Sequence, residues 1–251
     1  MISVAVNGAG GRMGRAILQE LRDSKVFQAA CGFDPSGGEL AGVPVLPPGS
    51  EIPAEVQAVI DFSLPGGAIE ILNQCRKQQI PLVSGTTGLD ESQMADFQKA
   101  AEDIPVVQAF NFSIGINLLL KLTETAAGIL KNSDVEIVET HHRNKKDAPS
   151  GTALLLAEKV AQALGKSREE LLQYGRRGKE LSRGSEIGLH SLRGGSVIGE
   201  HQVHFLGENE NLLLQHSALN RTIFVEGALQ AVRWVIDQKP GLYGMPRVLG
   251  F

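Results

Sequence analysis

ISVAVNGAGGRMGRAILQEL, residues 2–21, decides the fold of the N-terminal half. Residues 2–6 form a short apolar run that reads as a buried strand. A glycine-rich turn follows, Gly8, Ala9, Gly10, Gly11, Arg12 and Met13. The third slot of the G-x-G-x-x-G fingerprint falls on Met13, and the glycine arrives one position later, at Gly14. The physics survives the shift: Gly8 permits a tight turn, Gly10 and Gly11 let backbone N–H groups approach a pyrophosphate, and Gly14 lets a helix pack close to the strand. Met13, Ile17 and Leu21 recur at helical spacing, with Ala16 beside them. A second apolar run, 27–33, ends at Asp34, about twenty residues past Gly14, where a carboxylate would accept hydrogen bonds from ribose hydroxyls. The alternative for Asp34 is a turn residue in DPSGG.

The alternation continues outward from this unit. Residues 39–53 are rich in Gly and Pro and read as a surface loop. A strand at 58–62 runs into Ser63, and Ile69, Leu72 and Cys75 mark a helical face. A strand at 81–84 ends in Gly85, Thr86, Thr87 and Gly88. Asp90 caps a helix with an apolar face of Met94, Phe97 and Ala101, and a strand at 104–109 runs into Phe110, Asn111, Phe112 and Ser113. Repeated βα units predict an α/β fold, a Rossmann-type doubly wound parallel sheet whose ligands sit outside the carboxyl ends of the strands. Phe62 with Ser63, Gly85 with Thr86 and Thr87, and Asn111 with Phe112 stand at three such ends. They line a nicotinamide path or are ordinary loop chemistry.

Beyond residue 113 the texture changes. A helix is expected at 114–130, with Leu118, Leu119, Leu122, Ala126 and Ile129 as its core stripe. A strand at 135–138 leads into ETHHRNKKDAPSGTA, residues 139–153, which crowds two histidines, an arginine, two lysines and an aspartate into 141–147. Ser150 or Thr152 caps a helix over 153–164, Gly165 ends it, and Ser167 with Glu170 forms a capping box. Residues 174–184, basic and glycine-rich, read as a mobile loop or a lid over an acidic ligand. Short strands at 187–192, 197–198, 201–205 and 212–216 predict a second domain of α+β type. A helix at 222–237 is expected to return to the first domain. The division is thus 1–112, completed by 222–251, and 113–221. His190, His201, His204 and His216 read as structural, because His201 and His204 fall on opposite faces of a strand and are poor joint ligands.

The chain has 251 residues, 42% hydrophobic and 21% charged, so a folded core is expected. A net charge of -4 and only 5% aromatics argue against nucleic acid as a partner. No apolar run approaches the roughly 18–20 residues of a membrane span, and the N-terminus reads as a first strand and not a signal peptide. Cys31 and Cys75 belong to no CxxC pair, so neither a metal site nor a disulfide is expected, and both read as core residues in a reducing cytoplasm.

With a nicotinamide site in the first domain, the second must present the substrate. Hydride transfer to an unsaturated carbon needs a proton, which His141 or Lys145 can supply. Their i, i+4 spacing puts both on one face if the segment makes a helical turn, and Pro149 limits such a turn. Ser150, Gly151 and Thr152 open a helix, a carboxylate site by dipole and exposed N–H groups. Lys145, His142 and Arg143 add positive charge. The partner is an anionic, carboxylated small molecule.

The chain resembles the 4-hydroxy-tetrahydrodipicolinate reductase family from end to end. The likeness runs through GAGGRMG at 8–14, IDFS at 60–63, SGTTG at 84–88, NFSIGIN at 111–117, GEHQVHF at 199–205 and, most specifically, EIVETHHRNKKDAPSGTAL at 136–154. The resemblance implies reduction of a cyclic dicarboxylic imine to tetrahydrodipicolinate by NADH or NADPH, in lysine and diaminopimelate biosynthesis. It implies His141 as acid/base, Lys145 as proton donor, and His142 with Gly151 and Thr152 on a substrate carboxylate. It implies residues 8–13, Asp34, Gly85, Thr86 and Thr87, and Ala109, Phe110, Asn111 and Phe112 as the cofactor site, in a homotetramer built through the substrate domain. In some relatives arginine follows the acidic residue at the second strand end and meets the 2′-phosphate of NADPH. Here Pro35 follows Asp34. NADH is therefore the expected preference, with NADPH possible through Arg12. Lys146 and Arg143 have no assigned role. The rival readings are another two-domain amino- or keto-acid dehydrogenase and a non-catalytic dinucleotide sensor.

Overall fold

The computed structural model describes residues 1–179 and 182–251. In chain order the elements are β1 (Ile2–Asn7), α1 (Arg12–Arg22), β2 (Phe27–Phe33), β3 (Gly38–Leu40), β4 (Val43–Leu46), β5 (Ala58–Asp61), α2 (Pro65–Gln78), β6 (Leu82–Ser84), α3 (Glu91–Ala100) and β7 (Pro105–Gln108). There follow α4 (Ile114–Ile129), β8 (Asp134–His141), α5 (Gly151–Ala163), α6 (Arg168–Leu171), β9 (Leu172–Tyr174), β10 (Ile187–Arg193), β11 (Gly199–Leu206) and β12 (Asn211–Ala218). The chain closes with α7 (Thr222–Val235), β13 (Gly241–Tyr243) and α8 (Met245–Leu249). It divides into two compact units, residues 1–114 with 222–251, and residues 115–221.

The first unit is an eight-stranded sheet ordered β13-β7-β6-β5-β1-β2-β4-β3, parallel except for the β3–β4 pair. Alternate residues of β1 serve opposite faces. Val4 and Val6 join a core with Ile17 and Leu18 of α1 and Val225, Ala228 and Val232 of α7. Ala5 joins a core with Leu72 and Cys75 of α2 and Phe97 of α3. The chain thus winds both ways from β1, and the topological switch lies between β1 and β5, the position where doubly wound sheets bind ligands. At α3 the cap is a full box: Asp90 accepts from the Gln93 N–H and Gln93 answers the Asp90 N–H.

The structure corrects the sequence expectations in several places. Residues 39–53 are not simply a loop but carry β4 and most of β3. Glycines at positive φ, Gly37, Gly38 and Gly42, dominate the local composition, while Val43 and Val45 bury one face at strand period. The helix at 222–237 does return to the first unit, and it brings a strand that pattern reading missed. β13 is three residues long and pairs parallel to β7. The expected core stripe of α4 is rotated: Leu118, Leu122 and Ile129 are 47%, 44% and 75% exposed, and Ile116, Leu119, Thr123 and Ala127 are buried. That helix is apolar nearly all round, so its sequence does not choose a face.

The second unit is a five-stranded mixed sheet ordered β12-β11-β8-β10-β9. Its inner face is apolar at one end and polar at the other. Val135, Ile137, Glu139 and His141 of β8 point inward, and β11 sets Phe205, Val203 and His201 beside the first three in register. Leu156, Ala157, Val160 and Ala161 of α5 complete the apolar end of this core. The expected strand at 197–198 is instead the approach to β11. Of the expected loop 174–184, Glu180 and Leu181 lie outside the described residues. Nearby, Arg176 pairs with Glu136 at 2.8 Å and Glu186 at 2.6 Å, and Arg183 with Asp134 at 2.8 Å. No described helix is long and apolar enough to cross a membrane.

Candidate active site

In the first unit the glycine turn fits tightly over the strand ends. Gly8 has φ +76°, and a Cβ on Gly14 would strike the Gly8 carbonyl oxygen and Ala9 Cα. A Cβ on Gly10 would sit 2.6 Å from the Asp34 carboxylate. Helix α1 starts from Gly11 with no side-chain cap and no acidic residue in its first turn, so no side chain claims its leading N–H groups. Asp34 accepts the Gly10 N–H at 2.9 Å and the Ser36 N–H at 3.0 Å. Partial burial works to raise its carboxyl, and these bonds together with the Arg15 charge leave it below the ordinary value. Arg15, whose Nε donates to the Gly10 carbonyl at 2.8 Å, is thus the cation felt by Asp34, while Arg12 is exposed. A cavity of about 420 Å³ opens beside Gly8, Gly11, Asp34, Pro35, Phe62 and Ser63. A flat, uncapped, side-chain-free cradle with a carboxylate at its rim is what a dinucleotide requires.

The other strand ends are tied together by a residue that sequence reasoning passed over. Asp61, at the end of β5, is fully buried. Its carboxylate accepts from Asn7 Nδ2 (2.9 Å), Ser63 Oγ (2.6 Å), Ser84 Oγ (2.7 Å) and Thr86 Oγ1 (2.8 Å). The hydroxyls of Ser63 and Thr86 are therefore directed to Asp61. Phe112 is 1% exposed and its ring lies 5.5 Å from that of Phe62, so it is core. Gly85 borders the Phe62 ring. Thr87 and Phe110 are exposed, Ala109 and Asn111 partly so, and the Ala109 N–H donates to Ser84 O at 3.1 Å.

In the second unit the strand expected to stop at 138 runs to His141, so that histidine stands on β8 and not in a loop. No helical turn follows. Lys145 lies in a turn closed by its own N–H on the His142 carbonyl at 3.1 Å, and its Nζ meets Asp147 at 2.8 Å. Glu139, two residues before His141 on the same face, is 0% exposed. It takes the Nδ1 of His141, Arg193 Nη1 at 2.9 Å and Nη2 at 2.7 Å, and the Ser150 N–H at 3.2 Å. Burial works to raise the Glu139 carboxyl, but bonds from Arg193, Ser191 and His141 reverse this and hold it below the usual range. His141 is itself lowered, first by burial, against the pull of Glu139 and with the help of Lys145 and Arg193.

Ser150 is the N-cap of α5, its Oγ accepting from the Ala153 N–H at 3.2 Å. That oxygen also lies 3.2 Å from His201 Nε2, and the His201 ring meets His141 edge-on at 5.2 Å. Burial pushes His201 down to about 4, so it is neutral at physiological pH. Gly151 is exposed and Thr152 partly so at this helix start, and the Nδ1 of His142 is buried without a hydrogen-bond partner. Arg143 and Lys146 are exposed. Glu139 and Arg193 carry no local signal in the sequence, and His201, read from the sequence as structural, is a buried neutral ring against Ser150 and His141. Its polar surroundings follow from its register opposite Glu139, which no local pattern displays. A cavity of about 540 Å³ in this unit lies near Asp134 and Val135 at the other end of β8 and is lined by none of the expected site residues.

A doubly wound sheet with a dinucleotide cradle, joined in one chain to a sheet that concentrates histidine, lysine and a capped helix start, defines a two-domain pyridine-nucleotide oxidoreductase. Family models match both parts: "Dihydrodipicolinate reductase, N-terminus" over residues 2–112 and "Dihydrodipicolinate reductase, C-terminus" over 115–249. The chain is 41% identical to the 4-hydroxy-tetrahydrodipicolinate reductase of Caldanaerobacter subterraneus subsp. tengcongensis, with 98% of this chain and 97% of that one covered. It is 42% identical to that of Halorhodospira halophila, with 99% of each covered. The dipicolinate-bound dihydrodipicolinate reductase from Paenisporosarcina sp. TG-14 superposes with a TM-score of 0.80 at 27% identity, covering 98% of this chain and 99% of that one. The chain belongs to the dihydrodipicolinate reductase family. It is an NAD(P)H-dependent oxidoreductase that reduces 4-hydroxy-tetrahydrodipicolinate in lysine and diaminopimelate biosynthesis.

Proposed function

We propose that the labour of this reduction is divided between the two units. Gly8, Ala9, Gly10, Gly11, Arg12 and Met13 hold the dinucleotide, Asp34 takes its ribose, and the segments at Phe62–Ser63, 85–87 and 109–112 border the nicotinamide. When bound, the reduced nicotinamide supplies the hydride. The second unit does the rest. His142, Ser150, Gly151 and Thr152 hold a substrate carboxylate at the start of α5, where the positive end of the helix dipole favours an anion. Lys145 delivers the proton to the reduced imine, and His141 serves as acid/base beside it. One observation carries the reading: β8 and the start of α5 meet at Glu139, which contacts both His141 and Ser150. A steady-state assay with the cyclic imine made in situ tests it. A protein that binds NADH but turns over only keto acids would overturn it.

The same reading gives NADH as the preferred donor. The Asp34 carboxylate, with Pro35 and no arginine after it, repels a 2′-phosphate. Arg15 is the near cation that offsets part of this. Asp34→Ala is expected to lower selectivity for NADH over NADPH by roughly tenfold, about 1.4 kcal/mol. Parallel titrations with both donors check this, and an unchanged ratio reduces Asp34 to a turn residue.

The second unit is also proposed to build a homotetramer, in the cytoplasm. Its sheet ends on β12, an edge strand exposing Leu212 and Leu213 at 39% and 49%. Soluble proteins do not usually leave such an edge unpaired. Light scattering should give a mass four times 26.8 kDa, and a monomer at micromolar concentration would sink this assignment.

A further inference from the structure

Glu139 has no part in the roles assigned above, yet it is the most heavily bonded group of the second unit's polar end. Three segments converge on one fully buried carboxylate. His141 comes from its own strand, Arg193 from the end of β10, and Ser150 from the loop into α5. Arg193 does not reach outward as a free substrate clamp. Besides Glu139 it donates to the carbonyls of Leu192 and Asp147, each at 2.7 Å. An ionised carboxylate only accepts hydrogen bonds. The Nδ1 of His141 must therefore carry the hydrogen, and in the neutral ring, which burial favours, Nε2 carries none. Nε2 is the nitrogen that faces Gly199, where a Cβ would stand 3.1 Å away.

We infer that Glu139, charge-balanced by Arg193, is the positioning residue of the reductase. It fixes His141 as the Nδ1–H tautomer with Nε2 presented for proton exchange, and through the Ser150 N–H it locks the carboxylate-binding start of α5 in register with that nitrogen. One buried group thus sets the distance between the proton-handling and anion-holding parts of the site. Its logic is that of a carboxylate orienting a catalytic imidazole. The glycine at 199 belongs to the same arrangement, since any side chain there would crowd Nε2. The inference deepens the proposed role of His141 and rests on it for its kinetic consequence, but not for its structural one.

The charged and titratable groups that face His141 are Glu139 on β8, Arg193 on β10, His201 on β11 and Lys145 in the following turn. Of these only Glu139 favours the imidazolium. Glu139→Gln keeps the size and an acceptor oxygen but removes the charge. Three measurements on the intact enzyme test the inference. In the wild type at neutral pH, long-range ¹H–¹⁵N spectra should show His141 as the Nδ1–H tautomer, and an Nε2–H tautomer overturns the proposal whether or not any variant folds. In Glu139→Gln, turnover should fall by roughly 10- to 100-fold, the scale of losing the carboxylate that orients a working imidazole, with NADH affinity unchanged. The limb of the pH–rate profile that reports His141 should move to lower pH. A folded Glu139→Gln enzyme with wild-type turnover and an unmoved limb also overturns it. Should His141→Ala turn over normally while the tautomer is as expected, the catalytic assignment of His141 fails and the positioning by Glu139 stands.

Discussion

Lys145→Ala is expected to lower turnover of the cyclic imine by roughly 100-fold or more, the scale of a lost general acid, while leaving NADH binding intact. The two halves of that statement have different physical grounds. Lys145 lies in the second unit, in a turn closed on the His142 carbonyl, with its side chain 22% exposed and its Nζ on Asp147 at 2.8 Å. The groups proposed to hold the dinucleotide all lie in residues 1–112, so nucleotide affinity does not depend on this ammonium. The neighbouring Lys146 is a built-in control. It carries the same charge one residue away but is exposed, so Lys146→Ala should leave turnover within about twofold, as surface changes away from special features do. Steady-state rates for both variants, with NADH titrations by fluorescence, decide the matter. Near-normal turnover in Lys145→Ala removes it from the mechanism. Equal losses in both variants would mean that general positive charge, and not a placed proton donor, is what the segment provides.

The largest expected effect on stability belongs to Arg193→Met. Among the described residues the guanidinium is the only fixed cation bonded to Glu139, and that carboxylate is 0% exposed. Breaking a buried ion pair from one side strands the other charge, at a cost of about 3–5 kcal/mol. The sign of the pH dependence follows. In the wild type the Glu139 carboxyl is held below its ordinary value. It therefore contributes stability above the ordinary carboxylate range and loses it as pH falls through the folded-state value. Without Arg193 the strongest opponent of burial is lost, the bonds from Ser191 and His141 remain, and the carboxyl rises. The loss should thus be greatest at neutral pH and shrink on acidification, as Glu139 takes a proton. Urea midpoints at pH 7.5 and 5 measure it. Glu139→Gln in the same chain should restore much of the loss, because a neutral amide tolerates burial. A single-variant loss under about 1 kcal/mol would place the pair with exposed salt bridges instead.

How much of this was legible in the sequence depends on how far away each residue's partner lies. The dinucleotide unit was legible because its signals are local: a strand, glycines that a Cβ would disrupt, a helix stripe, and an acidic residue at the next strand end. The Asp90 cap and the Ser167–Glu170 box were legible for the same reason. His141 drew attention, but its strand was read as ending three residues early. Glu139 and Thr140 are polar, and alternation inside a buried polar cluster looks like a loop. What makes Glu139 tolerable inside is Arg193, 54 residues further on, and nothing near either residue announces the other. His201 was judged by its spacing to His204, whereas its environment comes from Ser150 and His141. For α4 the difficulty was excess: with apolar residues on all sides, the tertiary context chose a face that the pattern left open. At β13 it was shortage, since three residues hold too little periodicity to register.

That last strand bears on the order in which a ribosome can finish the protein. The first unit is discontinuous, with its helix α7 and its edge partner for β7 supplied by residues 222–251. Val225, Ala228 and Val232 belong to the same core as Val4 and Val6, so the strand β1 waits for a helix made after the whole second unit. The second unit, continuous over 115–221, has all its parts before residues 222–251 are made. Domains generally fold as units. Synthesis and folding of the two units therefore run in opposite orders: the unit begun first is completed second, and a nascent chain cut short before β13 leaves β7 as an open sheet edge over an unfinished core.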